Sequence, residues 1–375
     1  MPIYLDYSST TPLLPPVLEA MLPYFSERFG NPSSSHSYGR HARRGLDEAR
    51  AKLAHLLDCR PDEILFTSGA TEANNLALFG LAEARRGTEP GTILTSGIEH
   101  PCVTEPLARL AEDGFRLRNM MVGATGMVVP HVADSEIAFA TLMLANHETG
   151  ALQPVGALAA ALGAVPLHCD AAAAVGKVPV SFRGLGAATL TLSAHKFHGP
   201  KGVGALIVQR GVRLTPRLFG GHQQQGKRPG TEPVPLIVGM AKALELALED
   251  WEGKRRRVQM LRERFLESLR EAEPIHVNGP DDALPHVLNV SFPGCKADAL
   301  LMRLDLAGVA CSTGSACSSG SLLPSPVLRA MGLEGDLLTS AMRFSFSPLL
   351  TEDEIDEAGR RVIESVRSLR EKVEE

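Results

Sequence analysis

The chain has 375 residues, 44% hydrophobic and 22% charged, a globular composition with room for one large α/β domain and a smaller one. A net charge of −5 offers no basic surface for nucleic acid, and no run of about eighteen apolar residues supplies a membrane helix. Six cysteines without a CxxC pair and twelve histidines without an HExxH motif predict neither a metal site nor a disulfide framework. The opening Met1-Pro2-Ile3-Tyr4-Leu5-Asp6 does not read as a signal peptide, so the cytoplasm is the expected compartment.

A short strand at 3–6 leads through a turn to a helix at 16–25, with Pro16 suited to a first helical turn. Residues 30–36 read as a loop, and 39–57 as a helix with Leu46, Ala49, Leu53 and Leu56 on one face. A strand at 64–67 and a helix at 71–85 flank Ser68-Gly69-Ala70-Thr71. Backbone N–H groups at that helix start, close approach at Gly69 and the Thr71 hydroxyl would cradle a phosphate. The same residues would equally make a plain N-cap. Strands at 92–95, 115–121, 137–145 and 165–170, with a helix at 102–111, continue the alternation. This pattern implies a mostly parallel sheet covered on both faces, with ligands beyond the carboxyl ends of its strands. Thr71, His100, His147, Asp170 and Lys196 all fall at those ends.

The stretch Ser193-Ala194-His195-Lys196-Phe197-His198-Gly199-Pro200 follows an apolar strand at 188–192. A lysine in a partly desolvated pocket there becomes a nucleophile, although an isolated loop lysine would simply be solvated. Asp170 ends the strand about one step upstream, and a carboxylate near such an amine suits pyridoxal phosphate, whose ring nitrogen it would keep protonated. Taken alone, Asp170 would also serve as a helix cap, and His100 and His147 as locally bonded loop histidines. The Gly-rich segment 220–231 is either a linker or a phosphate-contacting loop at an interface.

A long helix at 235–272, bent near Trp251-Glu252-Gly253, leads into an α+β region. There a strand at 286–292, a helix at 297–306 and strands at 309–311 and 341–346 precede a closing helix at 352–373. Thr351 and Glu354 form the capping box of that helix. Cys317 sits in the polar small-residue loop 312–321, as either a reactive or an incidental thiol. The expected domains are a large one at 16–255 and a small one at 1–15 plus 256–375, which carries the cysteine loop.

From end to end these motifs resemble the NifS/IscS-type cysteine desulfurases, pyridoxal-phosphate enzymes of fold type I in the class V aminotransferase group. The resemblance rests on Tyr4 to Pro12, Thr67-Ser68-Gly69-Ala70-Thr71-Glu72, Glu99-His100, Asp170-Ala171, Ser193-Ala194-His195-Lys196, Arg228-Pro229-Gly230-Thr231, Gly314-Ser315-Ala316-Cys317 and Arg343-Phe344-Ser345. It implies a large domain with a mostly parallel seven-stranded sheet, flanked by helices, and a smaller α+β C-terminal domain. Lys196 matches the Schiff-base lysine and proton carrier, Asp170 the pyridinium partner, and His100 the stacked imidazole and acid/base. Ala70, Thr71, Ser193 and His195 match the cofactor's phosphate site, and Thr231 a phosphate contact given to the other subunit of a homodimer. Arg343 matches the clamp on the substrate carboxylate, and Cys317 the nucleophile that takes sulfur from L-cysteine. The product would be L-alanine, and the persulfide would pass to an iron–sulfur scaffold or tRNA-thiolation protein.

Two departures stand out. Ala173 occupies a position where the family usually has Gln, donating to the cofactor's phenolic oxygen, and His147 one that is often Asn near the same oxygen. His147 is expected to supply the bond that Ala173 lacks. Glu375 also follows the last helix closely, whereas some members carry a longer tail that docks the scaffold protein. The competing readings are a selenocysteine lyase or another class V aminotransferase, and a non-catalytic sulfur-relay subunit. Plain transamination has no need of Cys317.

Overall fold

Every residue of Ile64-Leu65-Phe66-Thr67 is buried, and so is every residue of Thr189-Leu190-Thr191-Leu192-Ser193 despite its alternating hydroxyls, the pattern of strands covered on both faces. The computed structural model describes residues 1–85, 90–132, 136–314 and 324–374. The chain begins β1 (Ile3–Tyr4), α1 (Pro15–Met21), α2 (Pro23–Ser26), α3 (Ser37–Leu56), β2 (Ile64–Thr67), α4 (Ala70–Ala84), β3 (Thr92–Ser96), α5 (Pro101–Glu112) and β4 (Arg116–Met120). It continues β5 (Ile137–Thr141), α6 (Val155–Leu162), β6 (Leu167–Asp170), α7 (Phe182–Leu185), β7 (Thr189–Ser193), β8 (Gly204–Val208), α8 (Val234–Leu248) and α9 (Trp251–Leu269). The last elements are β9 (His276–Val277), β10 (Val287–Ser291), α10 (Ala297–Leu306), β11 (Val309–Ala310), α11 (Pro326–Ala330), α12 (Gly335–Thr339), β12 (Ala341–Ser345) and α13 (Glu352–Glu374).

Seven strands form one sheet in the order β2-β8-β7-β6-β5-β3-β4. The run from β4 to β7 is parallel throughout, and β8 lies antiparallel between β7 and β2. The mostly parallel seven-stranded sheet expected above is therefore present. β8 itself was not anticipated, because Gly204-Ala205-Leu206-Ile207-Val208 directly follows a Gly-Pro turn. A second core gathers α9, α10, α13, β10 and β12 around Phe265, Phe292, Phe344 and Phe346. These rings meet at centroid distances of 5.0 to 6.4 Å. Each such pair is worth about 0.5–1.5 kcal/mol beyond its buried area. Ile3 and Leu5 belong to this second core, and β1 pairs in parallel with β11.

Three expectations need correction. The helix at 16–25 is two short ones, because Pro23 has no N–H to continue the first and instead starts the second. The long helix breaks at Glu249 and Asp250, just before the expected 251–253: Glu249 is extended and ends α8, and Asp250, at a φ of 46°, accepts from Gly253 N to cap α9. The strand at 137–145 ends at Thr141. Beyond it Leu142 and Leu144 still donate to the carbonyls of His168 and Asp170, at 3.0 and 2.9 Å, which delivers Asn146 and His147 to the sheet edge. Among the described residues no helix is long and apolar enough to cross a membrane.

Candidate active site

β2 ends at Thr67, and the chain turns through Ser68 and Gly69 into α4, whose N-terminus has no side-chain cap. The first-turn N–H groups at Ala70 and Thr71 are thus left for a ligand. Gly204 on β8 allows the cradle to close, since a Cβ there would lie 2.7 Å from Gly69 Cα. Ser193 ends β7, and a 3-10 turn at Ala194–Lys196 then presents His195 and Lys196. His195 Nδ1 lies 3.2 Å from Thr10 Oγ1. Burial, reinforced by the charges of Lys196, Lys201 and Lys177, lowers the His195 pKa to about 4, so the ring is neutral.

Lys196 Nζ donates to the carbonyls of Ser8 and Ser9, at 2.5 and 3.0 Å. On the adjacent parallel strand, Asp170 accepts from Ala172 N at 2.9 Å and from Asn74 Nδ2 at 2.8 Å. A turn follows it, in place of a helix for Asp170 to cap. Asn74 Oδ1 lies 2.9 Å from His168 Nε2, whose other ring nitrogen is 2.8 Å from Thr189 Oγ1. With one carboxylate oxygen held at each of two donors, Asp170 has its direction set from behind.

His100 caps α5, its Nδ1 accepting from Cys102 N at 3.1 Å. Burial lowers its pKa more than Asp170 raises it. The His147 ring stands edge-on to it, with centroids 5.1 Å apart. Burial, then the charges of His100, Arg343 and Lys196, hold His147 well below the usual histidine range. Its Nδ1 is buried with no partner among the described residues. Arg343 lies in the middle of β12, buried, with Nη2 on Asp6 at 2.9 Å and Ser9 Oγ at 2.8 Å, and Nη1 on the His147 carbonyl at 3.2 Å. Its Nε has no partner among the described residues.

One cavity of about 500 Å³ brings together Ala70, Thr71, His100, His147, Asp170, Ser193, His195 and Lys196. Arg343 sits against its wall through the His147 carbonyl, while Thr231 is exposed and does not border it. Cys317 lies outside the described residues. Sequence reasoning missed Asn74, Cys102 and His168. His168 stands two residues before Asp170 and so shares its face of β6, a period-2 signal, while Asn74 is a polar residue on the buried face of α4. The cavity fits pyridoxal phosphate: an uncapped helix start for the phosphate, a fixed carboxylate for the ring nitrogen, and an amine beside them.

Residues 3–358 match the family described as Aminotransferase class-V, and the chain belongs to that family. Within it, a cysteine desulfurase IscS of Archaeoglobus fulgidus is 41% identical over 377 residues, 98% of each chain. A solved NifS-like protein superposes with a TM-score of 0.90 at 34% identity, over 97% of this chain and 99% of that one. A structure of SspA in complex with cysteine superposes at 0.83 with 33% identity, over 93% and 100% of the two chains.

Proposed function

We propose that this protein is a cysteine desulfurase that converts L-cysteine to L-alanine and places the sulfur on Cys317 as a persulfide. The observation that carries this reading is the convergence of Lys196, Asp170 and His100 on one cavity beside the uncapped start of α4. The desulfurase relatives and the neighbour solved with cysteine support the choice of reaction and substrate over plain transamination. Lys196, Asp170, Ala70, Thr71, Ser193, His195 and His100 would hold pyridoxal phosphate, with His147 beside them. That cofactor supplies an electron sink which acidifies the substrate Cα and weakens its Cβ–S bond.

The protein's own residues do the rest. Lys196 moves the proton at Cα, and the Ser8 and Ser9 carbonyls accept from its amine whenever that amine is free. Asp170, held by Asn74 and Ala172, keeps its carboxylate toward the ring nitrogen. A substrate carboxylate satisfies the orphaned Nε of Arg343, a buried donor that is costly to leave unpaired. The Cys317 thiolate attacks the substrate sulfur: an S–S bond forms, the Cβ–S bond breaks with its electron pair kept on carbon, and protonation of that carbon yields alanine.

Thr231, exposed and away from its own chain's cavity, suits a contact with the cofactor of a second copy, so we read the enzyme as a homodimer. We read the chain as a large domain at 16–255 and a small one at 1–15 with 256–375, the second core lying wholly within the latter. The compartment is read as the cytoplasm, and the acceptor as an iron–sulfur scaffold or tRNA-thiolation protein. The test is alanine and sulfide production from L-cysteine with a reductant, with the visible cofactor band recorded, for wild type and Cys317→Ala. Wild type should make both products, and the variant should keep the band and make neither. Equal turnover by the two proteins would reject the desulfurase reading.

A further inference from the structure

A second cavity of about 110 Å³ lies behind the active-site lysine, between α8 and residues 346–349, and Lys196 borders both cavities. Its wall carries lysine and arginine groups beside two imidazoles whose pKa burial lowers. Lys177, Lys254, Arg255, His198 and His286 border it together with Lys196, and no carboxylate does. Glu354, the acid whose charge reaches Tyr7 on this wall, is engaged with Thr351 in the α13 capping box. Gathering cations around a void without an acid is unfavourable unless a counter-charge can enter.

Some of these groups already have partners. Lys254 Nζ donates to the carbonyls of Leu246 and Glu249, and His198 lies 3.0 Å from the Pro12 carbonyl and 3.3 Å from Ser347 Oγ. Lys177 Nζ and the Arg255 guanidinium have neither a hydrogen-bond nor an ion-pair partner among the described residues. His286, 8% exposed, has an Nδ1 with no partner among them either. Lys177 is deep in the fold yet only half-buried by surface, because the surface it keeps faces the cavity. Burial, with Lys196 and Arg343 as its charged neighbours, lowers its pKa to about 7.

We propose that this cavity binds a small tetrahedral inorganic oxyanion, phosphate or sulfate, between Lys177 and Arg255. A guanidinium fork pairs with two oxygens of such an ion, and the lysine and the Tyr7 and Ser347 hydroxyls offer further donors. The cavity holds only a few water-sized groups, which excludes a nucleotide or a peptide side chain with its backbone. The site is separate from the uncapped start of α4, where the cofactor phosphate belongs, and it does not depend on the reaction catalysed.

The test is isothermal titration of the cofactor-loaded enzyme with inorganic phosphate, and separately with sulfate, near neutral pH and at constant ionic strength. Loading blocks the cofactor's own phosphate site. One saturable site per chain with a Kd of about 1 mM or tighter is expected for at least one of the two ions. Lys177→Met and Arg255→Gln should each weaken it about tenfold or more, and Lys177→Arg should retain it. If Lys177→Met does not hold cofactor, Arg255→Gln alone decides. Absence of saturable binding to wild type, the behaviour of a water-filled cavity, would overturn the proposal, as would a site that both variants leave unchanged.

Discussion

The thiol of Cys102 lies 3.0 Å from Nδ1 of His100, the nitrogen to which the Cys102 amide also donates. Asn74 Nδ2 donates to the same sulfur at 3.0 Å. Burial, and then the charge of Asp170, push the thiol pKa well up, so Cys102 keeps its proton and has it to give. Nδ1 is therefore an acceptor, and the neutral His100 carries its ring proton on Nε2. The thiol thus favours the neutral imidazole. Cys102→Ala should move the acidic limb of the kcat/KM profile to higher pH by several tenths of a unit, about 0.5–1 kcal/mol of lost stabilisation. Cys102→Ser keeps a donor and should leave the limb in place. A purely steric role for Cys102 would leave the profile of the alanine variant unmoved.

Asn74, on α4, ties three elements together, bonding Asp170 on β6 and Cys102 on α5 with its amide nitrogen and His168 on β6 with its oxygen. Fully buried, it cannot be replaced by water without opening a void. Asn74→Ala should lower stability by about 1–3 kcal/mol, the cost of leaving buried partners unsatisfied. It should also weaken retention of the cofactor about tenfold, read by the loss of the visible band on dilution. If cofactor affinity stays at the wild-type value while stability falls, Asn74 supports the fold and not the carboxylate.

Ala173 and His147 both border the cofactor cavity, and His147 Nδ1 is the buried atom there still without a partner among the described residues. Ala173 has no polar side chain to offer. If His147 supplies the missing hydrogen bond, Ala173→Gln should shift the pH titration of the bound cofactor's absorbance, and His147→Asn should shift it further in the variant that lacks the glutamine. Coincident titration curves for wild type and Ala173→Gln would remove this role.

The sheet was legible because its strands are short apolar runs separated by helix-length stretches, and a parallel sheet sends every such strand to one edge. That alone placed Thr71, His100, His147, Asp170 and Lys196 around one cavity. Residues that act through others were not legible. Cys102 lies just past a helix start, and its role shows only when the fold turns the His100 ring onto its thiol and sets Asn74 against the same sulfur. The break at Pro23 was not foreseen and the one at Asp250 was placed slightly late, because local backbone geometry, not hydrophobic period, decides where a helix stops. No sequence motif marks Lys177, which meets the second cavity only because the fold packs α8 beside it.

Buried histidines set the acid limit of this fold. Burial holds His168 at about 4 and His286 at about 3, against 6.5 when unfolded. Between those values the unfolded chain binds the extra protons, so stability is complete above about pH 6.5 and declines as pH falls toward the folded values. His168 alone, fully buried, accounts for roughly 3 kcal/mol of that decline. Glu99 acts in the opposite direction. Burial raises it from 4.5 to about 7 against the bonds from Ser96 Oγ and Met143 N, so the folded state holds its proton through a window in which the unfolded state has lost it. Its contribution grows as pH falls from about 7 to 4.5, partly masking the histidines. Glu99→Gln keeps an acceptor oxygen for Ser96 and Met143 but cannot titrate. Urea unfolding of the cofactor-loaded enzyme between about pH 7.5 and 4.5 should therefore show a loss of stability on acidification that is steeper in Glu99→Gln than in wild type. Parallel pH dependences would mean that Glu99 is ionised inside the fold, and a flat wild-type curve would mean that the histidines are not held neutral.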